Sequence, residues 1–269
     1  TGITGSLTAS KTVLEDLNLG DRAASAVAIT VSDEDGYAAN EISDLNTLLG
    51  KTAGVVSTSV TATSTSLLED LGNLENTDNV DIEVSNLIDN DTELAQLRDI
   101  KDSTSGAITA SVSAAYDKLK AGAVDADNNP IALNTQGGDN GDDLISITIT
   151  GDHIDSNDIA GFEALLGRTD AAVTAEVRLL SGAFNDFIAG ETSTTSDQLS
   201  LILLTPGEDD DENSASLTVA EYNAARLRTG AGITAAVSGS ASDFVSGDNS
   251  ALNNVDADNL TITVTGDGV

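Results

Sequence analysis

The stretch 145-ISITITGDHIDSNDIAGFEALLGRTDAAVTAEV-177 decides the fold. It opens on ISITIT, where apolar and small polar side chains alternate with the period of a half-buried strand. A polar, acidic turn leads into SNDIAGFEALLGRT (156–169), with apolar residues at helical spacing and basic Arg168 near its end. A second alternating run, DAAVTAEV (170–177), follows. Strand, helix and strand over so short a span predict two parallel strands joined by a right-handed crossover.

The same unit recurs along the chain. Its first strand is repeated as VAITVS (27–32), VDIEVS (80–85), ISITIT (145–150), LSLILL (199–204) and LTITVT (260–265), with central residues Ile29, Ile82, Ile147, Leu201 and Ile262 spaced by 53, 65, 54 and 61. Its second strand is repeated as TGITGSL (1–7), AGVVSTSV (53–60), SGAITASV (105–112), DAAVTAEV and GAGITAAV (230–237). The anchors there are Ile3, Val56, Ile108, Val173 and Ile233, spaced by 53, 52, 65 and 60. Helical signatures separate first from second strand at 39–52, 90–104, 156–169 and 217–229. Shorter ones follow the second strand at 65–74, 113–122, 181–190 and 240–248.

Units of about 55 residues that cannot bury their apolar faces alone stack on their neighbours. The expected fold is therefore an α/β repeat solenoid of strand-helix-strand-short helix units with parallel strands; a doubly wound globular sheet is the other architecture that fits. The divisions are a partial repeat (1–26), repeats over 27–79, 80–144 (with an insertion at 121–143), 145–198 and 199–259 (with an acidic loop at 205–216), and the start of another at 260–269, all in one continuous array. The two variable loops hold both prolines, Pro130 and Pro206, and insertions on one face of a solenoid often carry binding. Neither end carries a polar cap, so either the protein continues or its copies stack. A direct covalent tandem is not expected, because it would place Ile262 only 10 residues before the next Ile3, against the usual 26–32. The opening TGITGS is neither a signal peptide nor a start methionine, so a processed or excised chain is expected.

Composition narrows the function. Aromatics make up 3% with no Trp, so Ala, Val, Ile and Leu must build a thin, layered core. The 45 acidic and 11 basic residues give a formal charge of −34. That excludes nucleic acid and anionic membranes as partners, since phosphate binding needs a basic surface. Lys51, Arg168 and Arg228 are expected to complement helix C-termini rather than a ligand. Disulfides and thiolate sites are impossible without cysteine. No apolar run reaches the roughly 18 residues of a membrane span, so no membrane insertion is expected.

Catalysis is not expected. The one histidine, His153, lies in an acidic turn and reads as a surface residue, so neither a Ser-His-Asp arrangement nor a usual zinc site can be assembled. An enzyme fragment would need a deep pocket with convergent carboxylates.

Calcium takes oxygen ligands from flexible loops and suits this charge. Acidic loops recur after the first strand as SDEDG (32–36), DND (89–91), GDHIDSND (151–158), GEDDDEN (207–213) and GDG (266–268). Before it they recur as ENTDN (75–79), GGDNGDD (137–143), TSD (195–197) and DADN (256–259). Stacked units would line these acids into two columns that repel unless divalent ions bridge them. The expected ligands are Asp33, Asp35, Asp89, Asp91, Asp152, Asp155, Asp158, Asp209, Asp211, Asp256 and Asp258. Solvated turns with capping Asp and Asn are the other reading of the same loops.

The unit "strand, helix, then LxxxTxxxVTAxV", seen in LLGRTDAAVTAEV (165–177) and ARLRTGAGITAAV (225–237), resembles the long, repetitive, acidic surface proteins of cyanobacteria and other marine bacteria. These include surface-layer, motility-associated and adhesin-like exoproteins, many of them described as haemolysin-type calcium binders. The resemblance covers nearly the whole chain and implies an extracellular, self-associating, calcium-dependent protein with no catalytic residues. The glycine-rich nonapeptide GGxGxDxUx is missing; GGDNGDD echoes it only in part. The expected function is a structural component of a surface layer or filament; the alternative is an adhesin or ice-contacting module using the Thr-rich strands.

Overall fold

The computed structural model describes residues 3–20, 22, 25–120, 122–123, 143–151, 153–190, 196–204, 216–244, 252–253 and 255–265. Strands and helices alternate: β1 (Ile3–Ala9), α1 (Lys11–Glu15), β2 (Ser25–Val31), α2 (Ile42–Leu49), β3 (Val56–Ala62), α3 (Thr65–Leu68), β4 (Asn79–Ile88), α4 (Asp91–Lys101), β5 (Ile108–Ala114), α5 (Tyr116–Leu119), β6 (Leu144–Ile149), α6 (Ile159–Leu166), β7 (Val173–Leu179), α7 (Ser181–Ala189), β8 (Gln198–Leu203), β9 (Leu217–Thr218), α8 (Val219–Arg226), β10 (Ile233–Gly239) and β11 (Asn259–Val264). Single 3-10 turns occur at Ala39–Glu41 and Ala241–Phe244.

The chain forms two compact units. One comprises Thr1–Ser113, Asp117–Ser146 and Arg168–Asp170, the other Ala114–Tyr116, Ile147–Gly167 and Ala171–Val269. In the first, β1 to β5 and the start of β6 follow one another side by side in chain order; in the second, the end of β6 is followed by β7, β8, β10 and β11. The described strand pairs are all parallel. Among the described residues no helix is long and apolar enough to cross a membrane.

Register ties the strands to the two sequence ladders. Ile29 pairs with Val56 and Ile82 with Ile108 in the first unit, Ile147 with Val173 and Leu201 with Ile233 in the second. On their other side the first-strand anchors meet a residue four positions beyond a second-strand anchor: Leu7 with Ile29, Val60 with Ile82, Val177 with Leu201, Val237 with Ile262.

Alternation then sets the layers. Val27, Ile29 and Val31 of β2, Ile108, Ala110 and Val112 of β5, and Val173, Ala175 and Val177 of β7 are buried. The residues between them point to the opposite, solvated face, where Thr30, Thr109, Ser111 and Thr174 sit. Each helix lays its own apolar side on the buried face, as α2 does with Ile42, Leu45, Leu48 and Leu49, and α4 with Leu94, Leu97 and Ile100.

One feature was invisible in the sequence: the first strand is split. After it has begun to pair, the chain leaves the ladder and returns to bond further along the same partner. Tyr37 bridges to Val60, Ile154 to Val177, and Leu217 of β9 pairs with Val237. In β4 the same return is made within one strand, whose register shifts between Glu83 and Leu87 before Ile88 meets Val112. The returning side chains, Tyr37, Ile88, Ile154 and Leu217, are all buried. Of the acidic loops read as following the first strand, 32–36 falls in such an excursion and 151–158 includes the returning Ile154, while 207–213 lies outside the described residues.

Each passage from a helix into the second strand turns on a threonine. The Thr52 hydroxyl accepts the Val27 N–H at 3.1 Å and the Gly54 N–H at 2.9 Å, and donates to the Val27 carbonyl at 2.7 Å. Thr104 does the same for Val80 and Gly106, and Thr229 for Leu199 and Ala231. Thr169 accepts the Ile145 N–H at 2.9 Å and donates to its carbonyl at 2.8 Å. Buried backbone groups must find partners, and here one side chain supplies several of them.

Lys51 and Arg228 do close helix C-termini, but those of a neighbouring helix. Lys51 lies beyond the end of α2, and its Nζ donates to the Leu14 and Glu15 carbonyls at the end of α1. Arg22 reaches the Leu49 carbonyl at the end of α2, and Arg228 the Ile188 carbonyl in the last turn of α7. Lys51 and Arg228 therefore cap a neighbouring helix rather than their own, because each short helix ends beside the next one's final turn.

Replacing Thr104 or Thr229 by the isosteric Val leaves one buried and one half-buried N–H without acceptors, so each substitution should cost about 1–3 kcal/mol. Urea unfolding with unchanged m-value would check this; a loss below about 0.5 kcal/mol would show that the hydroxyls are dispensable.

Candidate functional site: carboxylates at the strand ends and an open acidic recess

The acids divide into two populations with different work. One sits at the start of each first strand. Asp78 accepts the Val56 N–H at 2.8 Å and the Glu75 N–H at 3.0 Å. Asp143 accepts the Ile108 N–H at 2.8 Å and pairs with Lys101. Asp197 accepts the Val173 N–H at 2.9 Å. Asp258 accepts the Ile233 N–H at 2.8 Å, the Val255 N–H at 2.9 Å and a bond from Arg226 Nη1 at 2.7 Å, with the Tyr222 hydroxyl as a further donor. Every one caps the opening N–H of the second strand beside it. In the first repeat Ser25 holds this place, buried and bonded to the Leu19 carbonyl.

Electrostatics separates two of these aspartates. Burial raises the Asp78 carboxyl above its ordinary value despite its two N–H donors. Burial also works against ionisation of Asp258, but there Tyr222, the Val255 and Ile233 N–H groups and Arg226 together hold the carboxyl below its usual range. Burial, then the bond to Asp258, pushes the Tyr222 phenol up.

The second population faces solvent. Gly36 takes a left-handed φ of 57°, and a Cβ there would fall 2.3 Å from the Ser59 carbonyl oxygen, so glycine alone lets the 32–36 loop lie against β3. Next to it Tyr37 is buried with Lys11 Nζ 5.3 Å from its ring centre, and burial together with Asp33 pushes its phenol to about 12. The loop overhangs an open recess of about 350 Å³ between itself and the solvated face of β3, β4 and β5. Glu34, Asp35, Asp81 and Glu83 bring four carboxylates to its lining, beside Ser59, Thr61 and Thr109. Asp81 accepts the Ala107 N–H at 2.9 Å and Glu83 the Thr61 hydroxyl at 3.3 Å. Such a recess offers oxygen donors to a hydrated cation, although among the described residues no three His, Cys, Asp or Glu side chains converge closely enough to hold a bare ion.

The expected ligands are scattered over several tasks. Asp35 lines the recess, while Asp33 accepts the Lys11 N–H at the start of α1. Asp89 is exposed, and Asp91 pairs with Lys118 at 2.6 Å in the first turn of α4, where Asn90 caps the helix through the Glu93 N–H. Asp155 accepts the Asn157 N–H at 2.7 Å in a turn, and the Asp158 carbonyl accepts the Tyr116 hydroxyl. Asp256 is exposed in a turn, and Asp258 has its carboxylate engaged as above. Asp152, Asp209 and Asp211 lie outside the described residues, and His153 is exposed. Asp81 and Glu83 escaped notice because they alternate inside VDIEVS rather than standing in a loop; their outward phase was the available signal.

No protein-family model, no curated protein and no solved structure matches the chain.

Asp258→Asn should destabilise the fold by about 3–5 kcal/mol, because it leaves Arg226 buried without its counter-charge. Asp78→Asn keeps one acceptor oxygen but turns its NH2 toward the Val56 or Glu75 N–H, so it should cost about 1–3 kcal/mol, less than Asp258→Asn. Their pH signs are opposite. The Asp258 contribution is present above the ordinary carboxylate value of 3.8 and fades as pH falls through its lower folded value. The raised Asp78 carboxyl instead adds stability as pH falls through its folded value toward 3.8. Thermal melts of both variants between pH 3 and 7 would test this pair of signs.

Proposed function

We propose that this chain is a structural component of an extracellular assembly, a surface layer or filament, built as a solenoid of like units and stabilised by calcium. One observation carries the reading: the two ladders of anchors pair in the same register in both units, with the same threonine and aspartate contacts at equivalent places. Units alike in pairing and capping extend by addition, which is what a scaffold needs and what a catalytic cleft does not.

The charge supports calcium and an extracellular setting. With −34 on 269 residues, self-repulsion opposes compaction unless cations screen it, as the salt and divalent ions of an exterior medium would. Divalent ions held by Glu34, Asp35, Asp81 and Glu83 would relieve that repulsion where the loop overhangs the sheet. Neither nucleic acid nor an anionic membrane suits such a surface as a partner.

A second reading, an adhesin or ice-contacting module, draws support from the solvated face, where Thr4, Ser6 and Thr8 of β1 pair across to Ala26, Ala28 and Thr30. Small hydroxyl and methyl groups in parallel rows suit contact with a regular surface.

At calcium a hundredfold above its dissociation constant, linkage contributes about 2.7 kcal/mol per site. For a chain this size that corresponds to a melting temperature about 5–10 °C higher than in chelator at matched ionic strength, and Asp81→Asn with Glu83→Gln should shrink the shift. Equal melting in both buffers would remove calcium from the proposal. Electron microscopy of native material should show sheets or fibres, whereas dispersed single molecules that coat ice or polysaccharide would favour the adhesin.

A further inference from the structure

We propose that the cleft between α3 and α4 binds a small primary alkylammonium, in the place that Lys51 fills between α1 and α2.

The two clefts are repeats of one another. SKTVLEDL (10–17) and STSLLEDL (64–71) follow β1 and β3 and share the tetrapeptide LEDL. Each closes its short helix in the same way: the Leu17 N–H donates to the Leu14 carbonyl at 3.1 Å, and the Leu71 N–H to the Leu68 carbonyl at 3.0 Å. The longer helices beside them, α2 and α4, are aligned by Thr52 and Thr104, which make matching contacts. Lys51 and Ser103 therefore hold equivalent positions, each immediately before its threonine.

In the first cleft the cation belongs to the chain. Lys51 Nζ donates to the Leu14 carbonyl at 3.0 Å and the Glu15 carbonyl at 2.7 Å, at the helix end where positive charge is favoured. In the second, Ser103 has no chain to extend toward the matching Leu68 and Glu69 carbonyls. Its hydroxyl donates instead to the Asp99 carbonyl of its own helix, at 2.7 Å. The exchange also alters the charge of the lining. Glu15 and Asp44 accompany Lys51 in the first cleft, whereas Glu69 and Asp99 line the second and, among the described residues, no lysine or arginine does. Asp99 is already paired with Arg98. Glu69, held by the Gln96 amide at 2.7 Å, is the carboxylate that an incoming ammonium meets first.

The remaining wall suits an alkyl chain. Leu68, Leu71, Ile82 and Ile100 supply apolar surface to a recess of about 150 Å³, a size that elsewhere accepts a benzene-sized guest. That is room for a lysine-like stem and its ammonium without the peptide that would carry them, so the occupant is a free amine. The charge of −34 draws such cations to the surface from which they enter.

Methyl resonances of Leu68, Leu71 and Ile100, followed by NMR at constant calcium and about 0.15 M salt, read the site directly. n-Butylammonium should shift them saturably, at one equivalent per chain and a dissociation constant of about 1 mM, within the limit for so few atoms. Ammonium ion, which lacks the chain, and n-butanol, which lacks the charge, should each bind at least about tenfold more weakly. Ser103→Lys supplies the missing ammonium and should abolish the shifts while raising the melting temperature by about 1–3 °C. Lys51→Ser should instead open a second site, reported by the Leu14 and Leu48 methyls. Methyls that stay put at about 50 mM amine, an equal response to butanol, or a Ser103→Lys chain that still binds would each overturn the proposal. So would a Lys51→Ser chain with no second site. Nα-acetyl-lysinamide binding more tightly than n-butylammonium would overturn the free amine in favour of a lysine side chain from another protein.

Discussion

A parallel sheet built in chain order has to re-enter itself after every helix, and each re-entry brings backbone N–H and C=O groups out of water before the ladder can pair them. In this chain that burden falls on two side chains per junction. A threonine hydroxyl closes the turn that leaves the helix, accepting one amide from the neighbouring first strand and one from the turn itself, and donating back to that strand. An aspartate at the foot of the first strand takes the opening amide of the second. Everything else depends on these contacts, because they set which residue of one strand lies beside which residue of the next, and a slip of one residue would turn the whole apolar set to solvent.

The same economy explains how so acidic a chain folds. A minority of its carboxylates is absorbed into the structure as caps, where N–H donors and, for Asp258, a guanidinium and a phenol offset the loss of water. The basic residues are committed as well: Lys51, Arg22 and Arg228 close helix ends, and Lys101 and Arg226 neutralise buried aspartates. With 11 basic residues against 45 acidic ones, most of the exposed acids have no counter-charge within the chain. At the recess beneath the 32–36 loop, the loop and strand β4 each bring two carboxylates to the lining.

Much of this was legible in the residues. The alternation in ISITIT and DAAVTAEV, the spacing of Ile29, Ile82, Ile147 and Leu201, and the helical runs at 39–52, 90–104, 156–169 and 217–229 all fall on the elements found. Less legible were the acids. In DND, read as a cation loop, Asn90 serves as the cap of α4 by accepting the Glu93 N–H. Asp78, Asp143 and Asp197 were grouped with loop acids, although their constant place four residues before the anchors Ile82, Ile147 and Leu201 distinguished them. The splitting of the first strand left no signal at all, since the returning residue is a single apolar side chain after a loop of variable length.

Local periodicity needs only neighbours in the chain, so the sequence by itself determined strand, helix, their order and their parallel sense. Its charge of −34 likewise follows from composition without reference to any contact. Which carboxylate is buried and which basic residue closes which helix depend on residues 20 to 40 positions apart meeting in space, as Lys51 meets Leu14 and Arg228 meets Ile188. Only the tertiary structure decided those, because a side chain's partner is chosen by the register of the sheet and not by its place in the chain.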